Sequence, residues 1–216
     1  MVSAKGKPFF TALVAVVFAV AALYAAHAVY DWTDERIAAN ERARIVARLN
    51  SVLEPGLRGR DLTTTRLAVT DSELLGQDEP IDVFVLTDRG APMATVFAAI
   101  APHGYNAAIE LLIGVSPIGT VTGVRAVRHR ETQGLGDAIE TAKSNWILQF
   151  DDKALTAPAA QLWAIEQDDG DFDSISGATV TSRALVRAVR DTLLYFDQHR
   201  DELYARAAEA AEANDP

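Results

Sequence analysis

From Pro8 to Tyr30 the chain reads PFFTALVAVVFAVAALYAAHAVY, without a single Lys, Arg, Asp or Glu. No other feature limits the fold so strongly, because an uncharged apolar run of that length has no stable place on the surface of a water-exposed domain. As an α-helix rising about 1.5 Å per residue it extends roughly 34 Å, enough to cross the hydrocarbon core of a bilayer. The small-x-small sequence Ala26-His27-Ala28 has the form of a signal-peptide cleavage site, but the apolar run exceeds the roughly 7–15 residues of a signal-peptide core. Residues 8–30 therefore read as a retained single-pass anchor, preceded by a short cytoplasmic segment, 1–7. Positive charge does not set the orientation, since Lys5 and Lys7 precede the span while Arg36, Arg42, Arg44 and Arg48 follow it.

Beyond the span the chain suffices for one domain of ordinary size, roughly 100–150 residues. A membrane-proximal helical segment is expected over 31–80 and the folded domain over 81–216. The formal net charge of −10 excludes nucleic acid as a partner, because phosphate binding needs clustered Lys and Arg to displace counterions. With no cysteine, iron–sulfur clusters, thiolate zinc sites and disulfides are all excluded, so any redox centre must be a bound cofactor. The histidines His27, His103, His129 and His199 lie far apart, without the i+3 to i+5 spacing that puts two metal ligands on one helix face.

Ile45, Leu49, Val52 and Leu53 form a helical stripe over 31–54, which Pro55-Gly56 ends. Four segments rich in Val, Ile and Phe follow: IDVFVLTD, PMATVFAAI, AAIELLIGV and IGTVTGVRAV. The Asp88-Arg89-Gly90, His103-Gly104-Tyr105-Asn106 and Ser116-Pro117 separators have turn chemistry, so the segments predict an antiparallel sheet. Ile139, Ala142, Trp146 and Phe150 recur at helical spacing, and QLWAIE at 161–166 is expected to return as a further strand. Leu185, Val189 and Leu193 mark a long helix from about Ser182 to Ala211. The fold class is α+β: a single N-terminal transmembrane helix, then one domain with an antiparallel sheet and flanking helices.

Chemistry gathers in two places. Asp173-Ser174-Ile175-Ser176-Gly177-Ala178-Thr179-Val180-Thr181-Ser182 brings hydroxyls and small residues to the start of the last helix. Free first-turn amides and the helix dipole stabilise an anion there, and Gly177 and Ala178 permit close backbone approach. Local physics alone favours an ordinary helix cap that holds no ligand. Thr181 or Ser182 is the better placed to cap, which leaves Thr179 exposed ahead of the helix. The second place is His129-Arg130-Glu131-Thr132-Gln133-Gly134-Leu135-Gly136-Asp137. Gly134 and Gly136 let backbone approach a planar ring, Leu135 can cover an apolar face, and Glu131 or Thr132 can bond a polar edge. Neither G-x-G-x-x-G nor G-x-x-x-x-G-K-[ST] is present, and a plain glycine turn is the alternative.

Together, RETQGLG and DSISGATVTS resemble the FMN-binding domain of the G subunit of the Rnf-type electron-transport complex, and are similar to the C subunit of the Na⁺-translocating NADH:quinone oxidoreductase. GYNAAIELLIGV, GVRAVRHRETQGLGDAIE and SNWILQF fall in the same order as in that family. The resemblance implies an FMN joined through its phosphate to Thr179, with Ser176, Gly177, Ala178, Glu131, Thr132, Gly134, Leu135 and Gly136 around it. It further implies a flavin transferase that uses FAD as donor, a periplasmic domain on the bacterial inner membrane, other subunits of a membrane electron-transport complex as partners, and coupling of ferredoxin and NAD redox chemistry to ion movement. Gln133 departs from the family's usual proline, which leaves the loop less rigid.

Asp169-Gly170-Asp171-Phe172-Asp173 looks superficially like a calcium loop, but Ser174 stands where glycine is required and Val180 where a bidentate Glu is required. Ser176 is not in a G-x-S-x-G elbow. The competing class is a membrane-anchored assembly protein without flavin. No catalytic residue and no metal is expected.

Overall fold

The computed structural model describes residues 7–60 and 65–214, with side chains 7–11, 25, 26, 28–42, 213 and 214 outside the described set. The chain divides into two compact units, 1–45 and 46–216. Helix α1 runs over Lys7–Asn50. Along it Leu13, Val16, Val17, Phe18, Val20, Leu23 and Tyr24 are exposed. Among the described residues, no helix is long and apolar enough to cross a membrane. Part of the expected span, 8–30, lies outside the described side chains, as does most of the expected cytoplasmic segment, 1–7.

In the second unit, five strands are seen among the described residues: β1 (Arg66–Asp71), β2 (Gln77–Asp88), β3 (Ala91–Ala101), β4 (Ile109–Val115) and β5 (Val121–Arg128). They form one antiparallel sheet in the order β1-β2-β3-β4-β5. The β2–β3 hairpin closes on Arg89 and Gly90, with φ of 52° and 81°. Left-handed backbone at both central positions matches the twist of the flanking strands. The four expected strands are all present. β1 falls inside the segment 31–80 that was expected to be helical; it is a strand because Leu67 and Val69 alternate with exposed neighbours and pair with Val83 and Ile81.

Helix α2, Thr179–Asn214, packs on one sheet face. There Leu185, Val189, Leu193 and Phe196 join Val83, Val85, Phe97, Leu111 and Ile113 in a buried core. Burying each such side chain contributes about 1.5–3 kcal/mol, so this amphipathic stripe, rather than helix propensity, holds α2 in place. On the opposite face Leu49, Val52 and Leu53 cover Phe84, Leu86, Ala94, Val96 and Leu112. Burial on both faces explains why β2 to β4 read as nearly continuous apolar runs. Ile45 of the expected stripe is exposed. Gly114 and Gly123 pair across β4 and β5, and a Cβ at Gly123 would lie 3.0 Å from the Val52 Cα. The two glycines thus open a notch where the chain leaving α1 crosses the sheet, and the Thr122 hydroxyl donates to the Val52 carbonyl at 2.6 Å.

Two further expectations require correction. Residues 139–150 form no α-helix but 3-10 turns at Gly136–Ile139 and Trp146–Phe150. Between them Ser144 donates to the Ala138 carbonyl at 2.7 Å and accepts from the Trp146 amide at 3.1 Å. Such side-chain bonds compete with the helical ladder, so helical spacing of apolar residues is retained without a helix. Residues 161–166 add no strand to the sheet. Ile165 pairs in parallel with Phe172 inside the same loop, where Trp163 and Phe172 pack into the core with tilted rings and centroids 4.7 Å apart.

Candidate functional site between the glycine loop and the start of α2

Thr179 is the first residue of α2, and the turn ahead of it is tightly tied. The Ala178 amide donates to the Ile175 carbonyl at 2.9 Å, and the Ile175 amide donates to the Ser182 hydroxyl at 2.8 Å. Ser182 in turn donates to the Ala178 carbonyl at 3.2 Å. Gly177 takes φ +77°, a backbone shape that a side chain would strain. The expected cap is not formed by either candidate. Ser182 accepts from Ile175, which precedes the helix, and the fully buried Thr181 hydroxyl donates to a Glu131 carboxylate oxygen. Amides of a first helical turn have no intrahelical acceptor, so they face outward beside Thr179. Among the described residues, the half-buried Thr179 hydroxyl makes no hydrogen bond.

The glycine loop leaves β5 through His129, whose Nδ1 accepts from the Glu131 amide and whose Nε2 faces Glu140, both at 3.2 Å. It then tightens on the Thr132 carbonyl, which accepts from the Leu135 and Asp137 amides at 3.2 and 3.3 Å. Gly134, at φ +77°, is open: a Cβ there would meet nothing within 4 Å. Gly136 is enclosed instead, since a Cβ would come within 2.8 Å of the Glu131 Cβ and 3.2 Å of the Thr181 Oγ1. Thr132 is exposed, with its hydroxyl accepting from the Asn106 side chain at 3.3 Å. Glu131, expected at the polar edge of a ligand, is buried, and both its oxygens are engaged within the protein. One accepts from the Asn106 amide at 3.2 Å and the other from Thr181.

Residues some forty positions apart therefore share one site. A Cβ added at Gly177 would lie 3.0 Å from the Leu135 Cδ2, so the glycine loop and the Ser176-Gly177-Ala178-Thr179 segment touch. Leu135 and Val180 stand 44% and 43% exposed on either side of the contact, while Ala178 is buried and Ser176 exposed. Exposed apolar groups beside open backbone and free amides can hold a planar aromatic ring and an anion together.

Sequence reasoning missed a neighbouring groove of about 820 Å³ along the first turns of α2. Val180, Arg183, Ala184 and Arg187 line it from the helix, with Leu74 and His103 opposite. Arg183 holds Asp168 by two bonds of 2.6 and 2.8 Å, which lowers the carboxyl of Asp168 below its ordinary range. The arginine spacing along α2 was a readable sign, but the opposite wall comes from separate loops.

Residues 104–194 match the FMN-binding domain family model, a range that includes every residue of the site. The chain is 44% identical to the G subunit of the ion-translocating oxidoreductase complex of Pseudomonas aeruginosa over 177 residues, covering 82% of this chain and 83% of that one. It is 37% identical to the protein of the same name from Shewanella baltica over 178 residues, 82% and 84% of the two chains. With that of Vibrio parahaemolyticus it shares 36% over 182 residues, 84% and 86%.

Proposed function

The chain belongs to the family of G subunits of ion-translocating oxidoreductase complexes, and from that premise we propose that it is a membrane-anchored electron-transfer subunit holding FMN covalently through a phosphoester to Thr179. The observation that carries the reading is the unengaged Thr179 hydroxyl beside the Leu135–Gly177 contact, while the hydroxyls of Thr181 and Ser182 are both occupied. Bound FMN supplies the electron-accepting chemistry, which its phosphate ester leaves unmodified. Thr179 serves as attachment point: its oxygen takes the FMN phosphate from FAD on a flavin transferase, its proton is released and AMP departs. The first-turn amides, reached past Ser176, Gly177 and Ala178, receive the remaining phosphate charge. Leu135 packs against an apolar ring face, Gly134 leaves room for it, Gly136 lets the loop fold back, and Thr132 offers a polar edge.

Residues 8–30 anchor the chain in the bacterial inner membrane and the domain lies on the periplasmic side. The anchor rests on the uncharged sequence and on the exposed apolar side chains along α1, and the periplasmic placement on the family resemblance. Other subunits of the complex act as donor and acceptor, linking ferredoxin and NAD to ion movement, because this chain carries no dinucleotide motif. The test is full-length chain co-expressed with a flavin transferase, run on a denaturing gel and weighed intact. A fluorescent band and a mass increment of FMN less one water are expected. A dark band of unmodified mass overturns the reading.

A further inference from the structure

We propose that Glu131 is a positioning residue that touches no cofactor and instead sets, through Thr181, how the glycine loop faces Thr179. The inference rests on the flavin reading above but assigns Glu131 a role that reading does not need. Its buried carboxylate joins three chain segments. One oxygen accepts from the Asn106 amide at 3.2 Å, in the β3–β4 connection, and the other accepts from the Thr181 hydroxyl on α2. The Asn106 side chain then grips the loop on both sides of Glu131, donating to the Arg130 carbonyl at 2.9 Å and to the Thr132 hydroxyl at 3.3 Å. Gly136 folds back over the same carboxylate, with space for a hydrogen but not for a Cβ, which would come 2.9 Å from the Glu131 Oε2.

Helix geometry converts this clamp into control of the attachment point. Successive residues turn by about 100°, so Thr179 and Thr181 point some 200° apart around α2. Thr181 faces inward and is fully buried, while Thr179 is half-buried. A bond that fixes the rotation of Thr181 therefore fixes where the Thr179 oxygen emerges, and the same carboxylate fixes the loop that carries Leu135. Both oxygens of Glu131 already accept from the protein, and the residue is buried.

Three full-length variants test this: Thr181→Val, which keeps shape without a donor, Thr181→Ser, which keeps the donor, and Glu131→Gln. In flavin-loaded protein the visible circular dichroism and midpoint potential are read. In flavin-free protein the amide hydrogen exchange of residues 131–137 is read. Thr181→Val should shift both flavin signals and raise exchange roughly tenfold, the effect of leaving one buried acceptor unsatisfied. Thr181→Ser should match the wild type, and Glu131→Gln should shift the signals in the same sense as Thr181→Val. Wild-type signals in Thr181→Val, or a shift confined to Glu131→Gln, overturn the inference, the second because it means Glu131 meets the ring directly. A wild-type chain that carries no flavin refutes the attachment reading alone, and the exchange data then decide the clamp: a rise in Thr181→Val with none in Thr181→Ser supports it, and no rise overturns it.

Discussion

Replacing Gly136 by alanine separates the two glycines of the loop. The added methyl would lie 2.8 Å from the Glu131 Cβ, 2.9 Å from the Glu131 Oε2 and 3.2 Å from the Thr181 Oγ1. The nearest of these atoms is anchored to the backbone, so something must yield. Pushing the loop outward is overpacking, at about 1–3 kcal/mol. Swinging Glu131 away instead strands the Thr181 hydroxyl or the Asn106 amide, also at about 1–3 kcal/mol. The cheaper route sets the loss, so about 1–3 kcal/mol is expected whichever is taken. For a domain of this size that lowers the unfolding midpoint by roughly 2–12 °C. Gly134 sits at φ +77°, which strains any side chain, but nothing lies within 4 Å and asparagine tolerates that backbone shape better than most residues, so Gly134→Asn should lose less stability than Gly136→Ala. The assay is thermal unfolding of flavin-free protein followed by the fluorescence of Trp146 and Trp163, both packed in or against the core. Flavin-free protein is required because an attached flavin packed on the folded loop would add its own stabilisation and mask the loop's. Gly136→Ala melting with the wild type, or Gly134→Asn melting as early as Gly136→Ala, refutes the reasoning. In flavin-loaded protein the order reverses in kind: Gly134→Asn should retain attachment yet alter the visible spectrum, since its side chain enters the space assigned to the ring.

Thr179→Ala should abolish the mass increment of FMN while Thr181→Ala keeps it; the reverse pattern in intact-mass spectra refutes the site. A C-terminal alkaline phosphatase fusion should be active and a fluorescent protein that folds only in cytoplasm should be dark, whereas the opposite pair of results places the domain in the cytoplasm. Burial raises the Asp151 carboxyl above its ordinary range, with Arg125 opposing and Asp152 adding, and one of its oxygens is buried without a partner among the described residues. The folded state therefore holds the Asp151 proton more tightly than the unfolded state, and stability falls as pH rises from the unfolded value through the raised folded one. Asp151→Asn should then raise the melting temperature at pH 7 and lose that gain at pH 3, and equal melting of the two proteins at pH 7 counts against it.

Features carried by neighbouring residues were legible in the sequence. The β2 to β4 runs are apolar because both faces are covered, and the Leu185, Val189 and Leu193 stripe marks the buried face of α2. The hydroxyl-rich Ser176 to Ser182 segment announces a helix start, and the glycines of 134–136 announce a loop without side-chain bulk. The alternation of Leu67 and Val69 was also present, but it is too short to stand out beside the helical stripe before it. Local pattern misled where local chemistry competed, as at Ser144, whose hydroxyl bonds replace a helix by turns.

The sequence pointed to Thr179 as the free hydroxyl through a cap by Thr181 or Ser182, but tertiary structure alone decided what engages those two. Thr179, Thr181 and Ser182 are similar in sequence, yet Thr181 is taken by Glu131, fifty positions away, and Ser182 by Ile175. The Gly114–Gly123 notch beneath Val52, the Leu135–Gly177 contact and the groove beside Arg183 have the same origin. Period and turn chemistry are properties of consecutive residues and survive in any fold. A contact between distant segments exists only after sheet register and helix rotation have been set, and the composition of either segment does not contain them.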